Sequence, residues 1–326
     1  MLNNQQTIIK AIQAAREGVA LADLSHWGLL KISGEDRLRY LHNQSTNDFQ
    51  KLQSGQGCDT VFVTSTARTI DLATAYLTED AVLVLVSPNR QQQMMEWLDR
   101  FIFPMDKVEL TDISSENAIF SLIGPESDTL LAKLGVESSS STAYASHQEL
   151  MLGERKARVA IGSGLALPGY TLIVPMAEAQ KLGDTLTQAG AIPIENQTWE
   201  QLRIEQGRPA PDFELTEDYN PLEAGLWQTI SFEKGCYIGQ ETIARLNTYQ
   251  GVKQRLWGIR LDAPAEPGTV VTLNGDKVGK LTSFTDTEQG AFGLVYIRTK
   301  AGGVGLKVQV GEVEGEIVDV PFLTHE

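Results

Sequence analysis

A chain of 326 residues is too long for one small core and fits two or three packed units of ordinary domain size. With 42% hydrophobic and 21% charged residues and no apolar run long enough to span a bilayer, it reads as globular, and membrane insertion is excluded. Its net charge of -15 excludes a broad nucleic-acid footprint, which needs a concentrated excess of lysine and arginine, so no direct nucleic-acid binding is expected.

The start, Met1 to Gln6, has neither the basic and apolar regions of a secretory signal nor the arginines of a transit peptide, so a cytoplasmic location is expected. Residues 4–17 predict an amphipathic helix with Ile8, Ile9, Ile12 and Ala15 on one side, ended by Gly18. Trp27 to Ser33 reads as a strand and Glu35 to Asn43 as a short helix. Strands are expected at 58–64, 72–78 and 81–87, the last apolar throughout, as a strand covered on both faces would be. Pro88 is placed to open a helix whose buried stripe is Met94, Met95, Leu98, Phe101 and Ile102. Ala118 to Ile123 reads as extended and Pro125 to Leu134 as helical. The polar run Ser138 to Thr142 reads as an exposed loop at a subdomain boundary.

Strand-like patterning resumes over 147–174. Two helices follow, at about 176–189 and from Asn196 through Trp199, Leu202 and Arg203 to a stop at Gly207 and Pro209. Strands and helices do not alternate at regular spacing, so the class is α+β rather than a doubly wound sheet. From Val252 the texture changes to short strands separated by turns, with Asn274-Gly275-Asp276 as a hairpin signal, which predicts a small all-β barrel. Three domains are expected: 1–140, 141–250 and 251–326.

The chemistry concentrates at Lys234-Gly235-Cys236-Tyr237-Ile238-Gly239-Gln240-Glu241. One thiol stands between two glycines, beside a lysine and just before an apolar-periodic run that reads as a helix. Gly239 permits close approach to another surface, and a helix start directs N–H groups and its positive dipole end back to the loop, which favours thiolate over thiol. Cys236 is thus a candidate for nucleophilic, redox or metal chemistry, and the competing reading is a buried cysteine acting as a small hydrophobe. Cys58 and Cys236 are the only cysteines, far apart and without a CxxC or Cys/His cluster. Together with scattered histidines, this predicts no disulfide and no self-contained metal or iron-sulfur site. Residues 234–260 carry Lys234, Arg245, Lys253, Arg255 and Arg260 against Glu241, which suits either a small anionic ligand or a solvated basic face.

The octapeptide matches, without gaps, the Lys-Gly-Cys-Tyr-x-Gly-Gln-Glu signature of the YgfZ group. These are folate-binding proteins related to the aminomethyltransferase (T-protein) of the glycine cleavage system. Asp23-Leu24-Ser25-His26-Trp27-Gly28, Ser33-Gly34-Glu35-Asp36 and Asn43-Gln44-Ser45-Thr46-Asn47-Asp48 resemble the opening motifs of the T-protein superfamily. Gly279-Lys280-Leu281-Thr282-Ser283 resembles a motif of its terminal barrel. The resemblance implies a T-protein-like folate-binding core of two α/β subdomains followed by a small C-terminal antiparallel β-barrel. It also implies tetrahydrofolate or a derivative as ligand, and a role supporting iron-sulfur client proteins, including tRNA-thiolating enzymes, through Cys236 with Lys234, Tyr237, Gln240 and Glu241 around it.

A pterin is a flat aromatic that needs an aromatic or apolar wall and a carboxylate or amide at its hydrogen-bonding edge. Trp27 and Trp199 fall at the family's folate-associated positions, although as residues alone they read first as core. Arg203-Ile204-Glu205-Gln206-Gly207 matches the segment that holds the pterin edge, which marks Glu205 as its carboxylate. If 199–205 is all helical, Glu205 lies roughly 240° around from Trp199. The alternative activity is tetrahydrofolate-dependent aminomethyl transfer. Against it, Ala73 and Thr74 stand where ungapped alignment puts the assisting aspartate, and Asp71 comes about two residues early, ~7 Å away along a strand.

Overall fold

Among the described residues, alternating and all-apolar stretches of the first 200 positions become eleven strands in two sheets, with helices packed against them. The computed structural model describes residues 2–136 and 143–325. The strands are β1 (Ala20–Asp23), β2 (Gly28–Ser33), β3 (Gly57–Val63), β4 (Thr69–Leu77), β5 (Ala81–Val86), β6 (Glu109–Asp112), β7 (Asn117–Ile123), β8 (His147–Leu152), β9 (Arg155–Ile161), β10 (Gly169–Pro175) and β11 (Ile192–Ile194). One sheet has the order β11-β1-β7-β10-β9-β8 and the other β3-β4-β5-β2-β6. β1 pairs with β11 in parallel, and the pairs β1–β7, β7–β10, β10–β9, β9–β8, β4–β5, β5–β2 and β2–β6 are antiparallel. β5 is buried along almost its whole length between β4 and β2, as its uninterrupted apolar run requires.

The helices are α1 (Leu2–Glu17), α2 (Arg37–Gln44), α3 (Gln91–Asp99), α4 (Ser127–Lys133), α5 (Ala179–Ala189), α6 (Asn196–Gln206) and α7 (Gln240–Thr248). α1 buries Ala11, Ile12 and Ala15, while Ile9, expected on that face, is exposed. α3 starts at Gln91 rather than Pro88, because Asn89 takes a positive φ of 60° and Arg90 N–H closes a turn onto the Ser87 carbonyl. The polar run at 138–142 lies outside the described residues.

Contact density divides the chain into two units. Unit 1 comprises residues 1–60 and 73–199; unit 2 comprises 61–72 and 200–326. β3 and β4 therefore begin and end in different units. In unit 1 a core of Leu21, Phe120, Leu122, Leu172, Val174, Leu182 and Leu186 fills the space between the six-stranded sheet and helices α4 and α5. In unit 2 the chain closes a barrel of β12 (Gln254–Leu261), β13 (Val270–Leu273), β14 (Asp276–Thr287), β15 (Gly290–Arg298), β16 (Lys307–Val310) and β17 (Val313–Val318), in the order β12-β15-β14-β13-β16-β17. All barrel pairings are antiparallel, and Asn274 and Gly275 take the positive φ that the tight β13–β14 turn needs. Ile259, Val271, Leu281, Val295, Ile297 and Ile317 fill its interior. The T-protein-like α+β architecture with its terminal antiparallel barrel is the observed one.

β14 carries a bulge: Leu281 faces Val295 and Ser283 faces Leu294, so Thr282 is the extra residue. A bulge re-aims the side chain after it, and here Leu281, Thr282 and Ser283 are all buried in succession. Ser283 is thereby turned to Glu214 and Arg203, outside the barrel interior.

Candidate functional site

The segment 234–241, in unit 2, is fixed by two buried side chains and a glycine. Tyr237 packs into a cluster with Ala67, Leu222, Ile230, Ile243 and Val252. Burial pushes its phenol up to about 12, so it stays a neutral ring. Lys234 is buried too, with Nζ 4.6 Å from the centre of that ring, a cation-π contact. Gln240 Nε2 donates to the Lys234 carbonyl at 3.5 Å. Gly239 caps α7 at φ 82°, and a Cβ there would stand 2.9 Å from the Val63 side chain and 3.0 Å from the Thr64 carbonyl oxygen. The close approach expected of this glycine is therefore made, against the β3–β4 turn.

Between these anchors Cys236 is exposed. The reading of Cys236 as a buried small hydrophobe is therefore overturned. The Lys234 ammonium, expected beside the thiol, is directed onto the Tyr237 ring. Glu241 is exposed in the first turn of α7, where the helix dipole favours a carboxylate. The arrangement presents a thiol to solvent from a loop whose backbone is held on both sides.

Arg260 lies in a groove on the barrel exterior with Asp262, Glu314 and Glu316, and stands in register with Glu316 on β17.

In unit 1, Trp27 and Trp199 meet edge to face, with ring centroids 6.1 Å apart and planes at 86°. They are 7% and 6% exposed, so each indole is largely covered by protein. Trp27 sits at the entry to β2, its backbone N–H on the Leu24 carbonyl; Trp199 lies in the first turn of α6, its backbone N–H on the Glu195 carbonyl. A Cβ on Gly164 would be 3.7 Å from Cη2 of Trp199, which places the 162–168 loop against that ring.

α6 continues through Glu205 to Gln206, so the helix by itself sets Trp199 and Glu205 on different faces. The Glu205 carboxylate is half-buried and accepts from Gln201 Nε2 at 2.8 Å. At the position expected for the assisting aspartate, Thr74 Oγ1 donates to Asp59 Oδ1 at 2.6 Å. Asp71, in unit 2, is fully buried on β4.

One cluster in unit 2 was not legible from motifs. Arg203 Nη1 donates to Glu214 Oε2 at 3.0 Å and to the Arg208 carbonyl at 2.9 Å, and its Nη2 donates to Ser283 Oγ at 3.0 Å. Ser283 in turn donates to Glu214 Oε1 at 2.6 Å, and the Tyr296 hydroxyl donates to the Glu214 carbonyl at 2.9 Å. Arg203 was in view within the Arg-x-Glu segment, but Glu214 lies in an aperiodic loop that gives no signal. Among the described residues no helix is long and apolar enough to cross a membrane.

A family model described as the GCVT N-terminal domain matches residues 3–234. A chloroplastic protein of Arabidopsis thaliana that carries a transferase name is 47% identical over 320 residues, covering 97% of this chain and 74% of that protein. An aminomethyltransferase of Listeria monocytogenes is 29% identical over 321 residues, covering 95% of this chain and 88% of its own length. The crystal structure of glycine cleavage system aminomethyltransferase T from Bartonella henselae has a TM-score of 0.84 over 98% of this chain and 90% of that one, at 19% identity, a likeness of fold.

Proposed function

The chain belongs to the GCVT family, and on that premise we propose that it is a folate-binding accessory protein of the YgfZ type that supports assembly or repair of iron-sulfur enzymes, tRNA-thiolating ones included, through Cys236. The observation that carries this reading is the exposed thiol on a loop locked by buried Tyr237 and Lys234 and by the glycine cap of α7. A packing cysteine needs no such mounting. Gln240 adds a hydrogen bond to the Lys234 carbonyl, and Glu241 is the acidic residue in the first turn of α7.

The proposed ligand is tetrahydrofolate or a derivative. A pteridine needs an aromatic wall, and the aromatic corner formed by Trp27 and Trp199 is proposed to supply it. Glu205 is proposed as the carboxylate for a ring-edge donor. When bound, a folate supplies one-carbon chemistry; the chain's own contribution is to orient the ring and present the thiol.

Cys236→Ser should leave the melting temperature and tetrahydrofolate affinity as in the parent, because the residue is exposed. It should nevertheless fail to restore iron-sulfur enzyme activity or tRNA thiolation in cells lacking the protein. Rescue equal to the parent would leave folate binding as the active principle. In the folded protein an alkylating reagent should reach Cys236 before the half-buried Cys58.

The second reading, aminomethyl transfer, is favoured by the relatives that carry that name. Ammonia release above background from an aminomethyl-loaded lipoyl carrier with tetrahydrofolate would establish it in place of the first.

A further inference from the structure

The segment joining β9 to β10 in unit 1 walls a cavity that the folate reading does not use. It has a volume of about 560 Å³, within the usual ligand-pocket range of roughly 300–1,000 Å³. Neither Trp27 nor Trp199 lines it. The wall is preformed: Ser163 Oγ donates to the Leu167 carbonyl at 2.6 Å, Ser121 Oγ to the Ser163 carbonyl at 2.7 Å, and Thr171 Oγ1 to the Gly162 carbonyl at 2.8 Å. The Tyr144 ring lies so close on Gly162 that a Cβ there would fall 2.4 Å from a ring carbon. A site held this way loses little entropy on binding.

Its lining is apolar along Pro125, Leu165, Leu167 and Pro168, and aromatic at Tyr144 and Tyr170. The hydroxyl donors are already committed. Tyr170 donates to Asp128, Tyr144 to Asp59 Oδ1 at 2.9 Å, and Ser127 to the Gly124 carbonyl at 2.7 Å. Among the described residues Asp128 is the one charged side chain in the lining, and no lysine or arginine shares the cavity.

A single carboxylate, two aromatic rings and spent donors select against an anion, which would meet like charge and no hydrogen-bond donor side chain. They suit a ligand that brings its own donors: an ammonium bonded to the carboxylate and placed over a tyrosine face, with its body on the aliphatic wall. We infer that this cavity is a second ligand site, for a small organic cation with an apolar or aromatic body.

Calorimetry on the full chain with three isosteric probes tests this: 2-phenylethylamine, neutral 2-phenylethanol and anionic phenylacetate. The amine should bind at least about tenfold more tightly than the alcohol, with phenylacetate weakest, as one charge-assisted hydrogen bond implies. Asp128→Asn, at an exposed position, should lower amine affinity about tenfold and leave the alcohol unchanged. Ala166→Phe, which fills the cavity from its exposed rim, should abolish binding of amine and alcohol and leave a tetrahydrofolate titration as in the parent. Absence of amine binding, equal binding of amine and phenylacetate, or an Asp128→Asn variant that binds the amine like the parent would each overturn the inference.

Discussion

Glu214→Ala should lower stability by about 3–5 kcal/mol, the range for removing one partner of a buried ion pair. Glu214 is wholly inaccessible and Arg203 is 3% exposed. The carboxylate receives Arg203, Ser283 and the Ala210 N–H, so alanine takes an acceptor from three donors and removes the buried countercharge of Arg203. Arg203 also bonds Glu200, through Nε at 2.8 Å, but that carboxylate is 47% exposed and cannot replace what is lost. Glu200→Ala should therefore cost no more than about 1 kcal/mol, in the range of a surface pair. The paired change Arg203→Met with Glu214→Leu should recover most of the loss, because the penalty comes from the stranded charge rather than from a strong net attraction. Urea unfolding of the four proteins decides it. A Glu214→Ala loss no larger than that of Glu200→Ala would show that water reaches Arg203.

This cluster marks the boundary of what the amino-acid order makes visible. The barrel was legible because short strands separated by turns recur from Val252 and Asn274-Gly275 prescribes a turn, both local signals. The 234–241 loop was legible as a motif, and Gly239 even as a point of close approach. The anchoring of Tyr237 was not, since it depends on Ala67 and Leu222, which are distant in sequence. β1, β6 and β11 went unseen for a related reason. Ala20-Leu21-Ala22-Asp23 has little strand propensity and is extended because β7 and β11 pair with it on either side. Ile9 was placed inward by periodicity, yet α1 buries a narrower stripe through Ala11, Ile12 and Ala15, where small residues allow close packing. Where a residue's role depends on a partner far along the chain, local pattern names the residue but not its work, as with Arg203.

Trp199→Ala and Trp27→Ala should each cost about 3–5 kcal/mol of stability, as buried aromatic truncations do. Both indoles are over nine-tenths covered, and each supplies the ring against which the other packs. The consequence for testing folate binding is direct. An alanine variant that no longer binds tetrahydrofolate reports lost structure as readily as a lost ligand contact. Phenylalanine at either position keeps an aromatic ring and much of the volume, so the melting temperature should fall far less. The double cycle of Trp27→Leu and Trp199→Leu should give a coupling of about 0.5–1.5 kcal/mol, the usual worth of an edge-to-face pair. With the fold retained, tetrahydrofolate should quench indole emission in the parent, and the quench should shrink in Trp27→Phe and Trp199→Phe. If the phenylalanine variants keep the parent's stability and quench as the parent does, the two tryptophans are core and the folate lies elsewhere. If affinity falls while the melting curve stays in place, the aromatic corner is the ligand's wall.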